Sequence, residues 1–112
     1  MIESCRFGHI VIDGKDYASD VIIYTDRVED NWRRRQGHRL APEDLEGVVA
    51  EEARTLIVGT GRSELMRVPP ETLEYLISKG FDVIVQKTGD ACQSYNRLSE
   101  RRAVIAALHL TC

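Results

Sequence analysis

The sequence predicts an α/β domain, an open sheet with helices packed on it and an antiparallel ribbon at its start. Three observations carry this. Two short apolar runs end abruptly in glycine-containing loops: Leu56-Ile57-Val58 enters Gly59-Thr60-Gly61, and Asp82-Val83-Ile84-Val85 leads to Lys87-Thr88-Gly89. Amphipathic stretches with helix-start signals flank these runs, and strands alternating with helices are the pattern of α/β folds. Finally, Asp13-Gly14 sits between two runs rich in β-branched and aromatic residues, the strongest short-range hairpin signal.

With 112 residues there is room for one domain, residues 1–112, and one core. A composition of 43% apolar and 29% charged residues is that of an ordinary globular protein. The net charge of −3 supplies no global attraction to nucleic acid or anionic membrane. No window approaches the roughly 18 apolar residues of a membrane helix, so membrane insertion is not expected. Met1 to Arg6 has neither a signal-peptide core nor transit-peptide character, which makes the cytoplasm the expected location. Three scattered cysteines, Cys5, Cys92 and Cys112, favour free thiols.

In chain order, Phe7–Ile12 and Tyr17–Tyr24 are read as strands joined by the Asp-Gly turn. Residues 25–41 are densely charged, with Trp32 the only large apolar group before Leu40 starts the return of the chain to the body. Pro42-Glu43-Asp44 starts a helix, its proline and acids suited to the positive end, with Leu45, Val48, Val49 and Ala53 as an apolar stripe. The strand Leu56–Val58 follows. Pro69-Pro70-Glu71 starts the next helix, with Leu73, Leu76 and Ile77 as its buried face and Gly80 as its stop. Strand Phe81–Gln86 completes a strand–helix–strand unit, expected to be a right-handed parallel crossover. Asp90, with Gln93 three residues on, is read as the cap of a third helix whose inner stripe is Ala91, Tyr95 and Leu98. Ala103–Leu110 is almost wholly apolar, as befits a strand buried on both faces at the centre of the sheet.

Several separated pieces resemble one family in order and spacing. They are Phe7-Gly8, the Asp-Gly turn followed by Tyr17, Asp20-Val21, Trp32-Arg33-Arg34, Gly37-His38, the Gly-Thr-Gly loop, Tyr95-Asn96 and Leu108-His109-Leu110-Thr111-Cys112. Together they are similar to the Mth-type domain of unknown function. That family includes an adipogenesis-associated protein and assembly factor 3 of mitochondrial respiratory complex I. The resemblance implies a three-layer fold around a central mixed sheet, with one strand antiparallel to the others and an extra hairpin. It implies no established catalytic activity, and the assembly role of the mitochondrial branch implies protein–protein contact.

Candidate sites follow from the chemistry of the side chains. Gly59, Thr60 and Gly61, with Lys87, Thr88 and Gly89, stand where open α/β sheets bind ligands, and their N–H groups could cradle an anion. Neither loop carries a phosphate-binding fingerprint, Asp90 would repel an anion, and Pro69 and Pro70 remove donors. Conformational glycines are therefore the preferred reading. His109 and Cys112 form only one close pair, so no metal site is expected, and His109 is read as a hydrogen-bonded core residue. Cys92 near a helix start could be a nucleophile, but a small buried thiol is the simpler account. Trp32, Arg33, Arg34 and His38 suit a solvated charged ribbon, a protein-contact edge or a stacking surface for single-stranded nucleic acid, in that order of preference. The leading expectation is a non-catalytic protein-interaction or assembly factor of unidentified partner. Trp32, Arg33, Arg34 and His38 form its contact edge, and it has no cofactor. The alternative is an anion-binding protein or enzyme using the two Gly-Thr loops.

Overall fold

In the computed structural model, which describes residues 1–112, the chain opens with three antiparallel strands: β1 (Ile2–Arg6), β2 (His9–Ile12) and β3 (Lys15–Tyr17). The Asp-Gly turn joins the last two. Asp13 and Gly14 both adopt positive φ, 49° and 81°, as a two-residue hairpin turn requires. The sequence reading omits β1 because the register slips between Ile2 and Ser4, and the irregularity breaks the alternation of apolar residues. Phe7, read as a strand residue, sits in the turn between β1 and β2 and is exposed.

The stretch read as one strand from Tyr17 to Tyr24 is two. β3 ends at Tyr17, the chain crosses at Ala18–Asp20, and β4 (Val21–Ile23) begins in a second sheet. A short return, β5 (Val28–Glu29), pairs antiparallel with β4. β6 (Thr55–Gly59), β7 (Asp82–Gln86) and β8 (Val104–Leu108) complete a five-stranded sheet of order β5-β4-β8-β6-β7. β8 and β7 both run parallel to β6, whereas β4 pairs antiparallel with β8. The sheet is therefore mixed, with the closing apolar strand at its centre, as the lack of alternation predicts.

The sheet divides the core in two. Ile23, Ile57, Ala106 and Leu108 pack on one side with the N-terminal ribbon and with α3 (Thr88–Leu98), through Ile10, Ala91 and Tyr95. Ile22, Leu56, Val58, Ile105 and Ala107 face the other side. There they meet α1 (Glu46–Val49), the 3-10 turn Pro42–Leu45 that precedes it, α2 (Pro70–Ser78) and the segment carrying Trp32 and Leu40. Successive residues of β6 and β8 thus point to opposite cores, the period of two that a strand imposes.

Three helix expectations need correction. The helix begun at Pro42 is a 3-10 turn and one α turn, ending at Val49 rather than running on to Ala53. Gly47 is placed against the Tyr24 hydroxyl, where a β-carbon would lie 2.7 Å from the oxygen. In α2 the buried residues are Thr72 and Leu76, while Ile77 is 63% exposed. α3 begins two residues before Asp90, with Lys87 at its N-cap and no side-chain cap.

Candidate functional site

β6 and β8 run parallel, so their carboxyl ends lie together, and the antiparallel β4 starts at the same edge of the sheet. This brings Asp20, just before β4, to His109, just after β8. The Asp20 carboxylate accepts hydrogen bonds from His109 Nδ1 at 2.8 Å, from the Leu110 N–H at 2.8 Å and from Arg34 Nη2 at 2.8 Å. With an ionised carboxylate as acceptor, Nδ1 carries the proton. Arg34 Nη2, 3.1 Å from the same nitrogen, therefore shares the Asp20 oxygen and does not bond the ring. The side chains of Arg34, His109 and Asp20 are only 4%, 6% and 14% exposed.

The loop between β5 and the 3-10 turn is built around this cluster. Arg34 Nε donates to the Gly37 carbonyl at 3.0 Å, and its guanidinium stacks over the Trp32 ring at 4.6 Å. Trp32 is itself buried, its indole N–H donating to the Asp44 carbonyl at 3.3 Å and its backbone N–H to the Asp20 carbonyl. The His38 ring meets His109 edge-on, with centroids 5.6 Å apart. Burial opposes ionisation of Asp20. The hydrogen bonds from His109, Leu110 and Arg34 outweigh it and hold the carboxyl below its ordinary range.

An oriented Asp–His pair invites comparison with a catalytic dyad. Here the far ring nitrogen, His109 Nε2, is buried and makes no hydrogen bond to any protein group. Gly61 packs against that side of the ring, close enough that a β-carbon there would lie 2.9 Å from His109 Cδ2. The pair ties the segment just before β4 to the segment just after β8, and the reading of His109 as a hydrogen-bonded core residue holds.

The two Gly-Thr loops meet one another. Thr88 Oγ1 accepts from the Gly61 N–H at 2.8 Å and donates to the His109 carbonyl at 2.5 Å. The Thr88 N–H in turn donates to the Gly61 carbonyl. Gly59 has no room for a side chain, since a β-carbon would lie 2.9 Å from Thr88 Oγ1 and from Leu108 Cδ2. The N–H of Thr60 is bonded to the Gln86 carbonyl, and those of Arg62 and Ser63 to Thr111 and Cys112. The donors of the first loop are thus satisfied within the chain, and Thr111–Cys112 fills the space above it. Lys87 remains exposed, and Gly89 lies at the first turn of α3 beside Arg62.

Of the residues read as a contact edge, Arg33 and His38 are on the surface, while Trp32 and the Arg34 side chain are inside. Residues of the loop line two clefts. One of about 270 Å³ is lined by Ser19, Asp20, Asn31 and Trp32–Arg34, and another of about 390 Å³ by Arg35, Arg39, Glu43 and Glu71. Asp20 was not singled out as a site residue from the sequence. Its partners lie 14 and 89 positions away, beyond the reach of any local spacing rule.

Known proteins share this architecture. A conserved hypothetical protein from Pyrococcus horikoshii OT3 is 32% identical, with a TM-score of 0.84 over 100% of this chain and 99% of that one. A protein described as an outer membrane protein of Bartonella henselae is 26% identical, with a TM-score of 0.84 over 99% and 94% of the two chains. A Bordetella pertussis protein described as a Mth938-like domain has the same fold at 20% identity, with a TM-score of 0.72 over 98% and 85%. A 54-residue stretch is 46% identical to NADH dehydrogenase (ubiquinone) 1 alpha subcomplex assembly factor 3 of Xenopus tropicalis. The match spans 47% of this chain and 29% of that protein. The family described as Protein of unknown function (DUF498/DUF598) matches residues 2–109. The chain belongs to that family, whose structural relatives include the Mth938-like domains and to which the resemblance of its scattered motifs already points.

Proposed function

We propose that this protein is a non-catalytic protein-interaction or assembly factor, working in the cytoplasm, whose contact edge is the charged loop from Asn31 to Arg39. Arg33 and His38 meet the partner from the surface. Trp32 and Arg34 act from beneath, holding the loop in one shape. The observation that carries this reading is a largely irregular, charged segment clamped by a buried Asp20–Arg34–His109 cluster and lining two clefts. Ordering such a segment costs about 1–2 kcal/mol per residue in backbone entropy, and a preshaped loop spares a partner that cost at binding. The assembly-factor name of the Xenopus relative supports the same class of activity.

The test is affinity purification from the native host with the wild type and an Arg33→Glu/His38→Glu variant of unchanged melting temperature. The variant should lose a partner that the wild type retains. Retention of every partner would remove this edge from consideration.

The alternative, an anion site at Gly59–Gly61 and Lys87–Gly89, has Lys87 and Arg62 lining a nearby groove in its favour. The internal use of the loop N–H groups counts against it. A thermal-shift series with phosphate and nucleotides separates the two, since only the cradle predicts a rise in melting temperature.

A further inference from the structure

On the other side of the domain, β1 lies beside the first half of α3, and a groove of about 440 Å³ runs between them. Glu3, Cys5, Arg62, Lys87, Asp90 and Cys92 help to line it. Cys5 is half-buried and Cys92 buried. The Cys92 thiol donates to Cys5 Sγ across 2.6 Å, although the two residues are 87 positions apart in the chain. They are held face to face by backbone clamps. The Asn96 side chain, one helical turn beyond Cys92, bonds both the N–H and the carbonyl of Ile2 at 2.8 Å, which fixes β1 against α3. From the third side Arg62 donates to the Cys5 carbonyl. The remaining cysteine, Cys112, packs its backbone over Gly61 and is not part of the Cys5–Cys92 contact.

We propose that Cys5 and Cys92 form a reversible dithiol–disulfide site, with Cys5 as the attacking thiolate, Cys92 as the resolving thiol and a hydroperoxide as the oxidant. The environment divides the roles. The hydrogen bond from Cys92 favours the Cys5 thiolate, burial opposes it and the Arg62 charge assists, with the net result that the Cys5 pKa falls to about 7. The same hydrogen bond, together with burial, pushes the Cys92 thiol up, so it stays protonated. In the first step the Cys5 thiolate attacks a peroxide oxygen. The O–O bond breaks, and with a proton from solvent the products are a Cys5 sulfenic acid and one water or alcohol. In the second step Cys92 sulfur attacks the sulfenic sulfur, its proton leaves with the hydroxyl as water, and the S–S bond forms. Two thiols have then lost two electrons to one peroxide, and a small dithiol reverses the change.

The test treats the full chain with one equivalent of hydrogen peroxide, then alkylates under denaturing conditions and maps the peptides by mass spectrometry. The expected result is a Cys5–Cys92 crosslink within one chain, lost on reduction, with Cys112 alkylated. In Cys92→Ser, Cys5 should be trapped as a dimedone adduct; in Cys5→Ser, Cys92 should yield none. The rate should rise with pH to a plateau with a midpoint near 7, and Arg62→Gln should move that midpoint upward. Alkylation of both Cys5 and Cys92 after peroxide would overturn the proposal, as would crosslinks through Cys112 or between chains. Circular dichroism confirms that each serine variant is folded, so that loss of the crosslink reports on sulfur chemistry.

Discussion

Replacing Arg34 by alanine tests the clamp most directly. The substitution removes the ion pair to Asp20 at 2.8 Å, the hydrogen bond to the Gly37 carbonyl at 3.0 Å and the stacking over Trp32 at 4.6 Å. It leaves a carboxylate that is only 14% exposed short of one partner. A hydrogen bond from a charged donor contributes about 1.5–3 kcal/mol, and a desolvated cation–π contact roughly 1–2 kcal/mol. Removing one member of a buried ion pair costs about 3–5 kcal/mol in all, which encompasses these terms. For a chain of this size that corresponds to a fall in melting temperature of roughly 10–20 °C. The assay is thermal unfolding at neutral pH followed by circular dichroism, alongside Arg34→Lys, which keeps the charge and loses the planar fork. The lysine variant should recover less than half of the loss. A double-mutant cycle with Asp20→Asn should give a coupling of about 0.5–3 kcal/mol. A melting temperature within about 2 °C of wild type, or a coupling near zero, would refute the clamp.

Further outcomes follow from the same network. Because the folded Asp20 carboxyl is held below its unfolded value, its ionised form stabilises the protein above the ordinary carboxylate pKa of about 4, and this contribution fades as pH falls through the lower folded value. The stability gap between wild type and Asp20→Asn, measured by urea unfolding, should therefore be full at neutral pH and shrink in acid. Thr88→Val leaves the Gly61 N–H and the His109 carbonyl without their shared hydroxyl, and should cost about 2–4 kcal/mol by urea denaturation. Burial, and then the charge and hydrogen bonding of Glu29, push the Tyr24 phenol up to about 12. Alkaline titration by ultraviolet absorbance should find a tyrosine titrating there, and Glu29→Gln should lower its midpoint.

The parts of the fold legible in the sequence are those set by local rules. Asp13-Gly14 announces its turn, and the almost wholly apolar run from Ala103 to Leu110 announces a strand covered on both faces. The family resemblance supplies one antiparallel strand in the central sheet without saying which, and nothing in Val21-Ile22-Ile23 states that it is this one or which strand it will pair with. What stayed hidden depends on partners far away in the chain. Arg34 looks like its neighbours Arg33 and Arg35, and only Asp20 and Trp32 distinguish it by drawing its side chain inside. Ile77 illustrates the converse error. Helical spacing placed it on the buried face, yet nothing covers that position at the end of α2. The pairing of Cys5 with Cys92 was invisible for the same reason, being a product of the docking of β1 on α3.

The central position of β8 also bears on the time course of folding. Asp20 receives its histidine and its backbone partner from residues 89 and 90 positions later, and β4 can join β6 only through β8. During synthesis, β4, β5, β6 and β7 and all three helices precede β8, so they exist with the middle of their sheet missing. Closure must wait until residues 104–110 leave the ribosome. Such long-separation pairing slows folding relative to helical proteins of similar size, and the interval exposes two unpaired strand edges. The domain is thus assembled around its last strand, and chaperone dependence in the cell should track how quickly that strand is delivered.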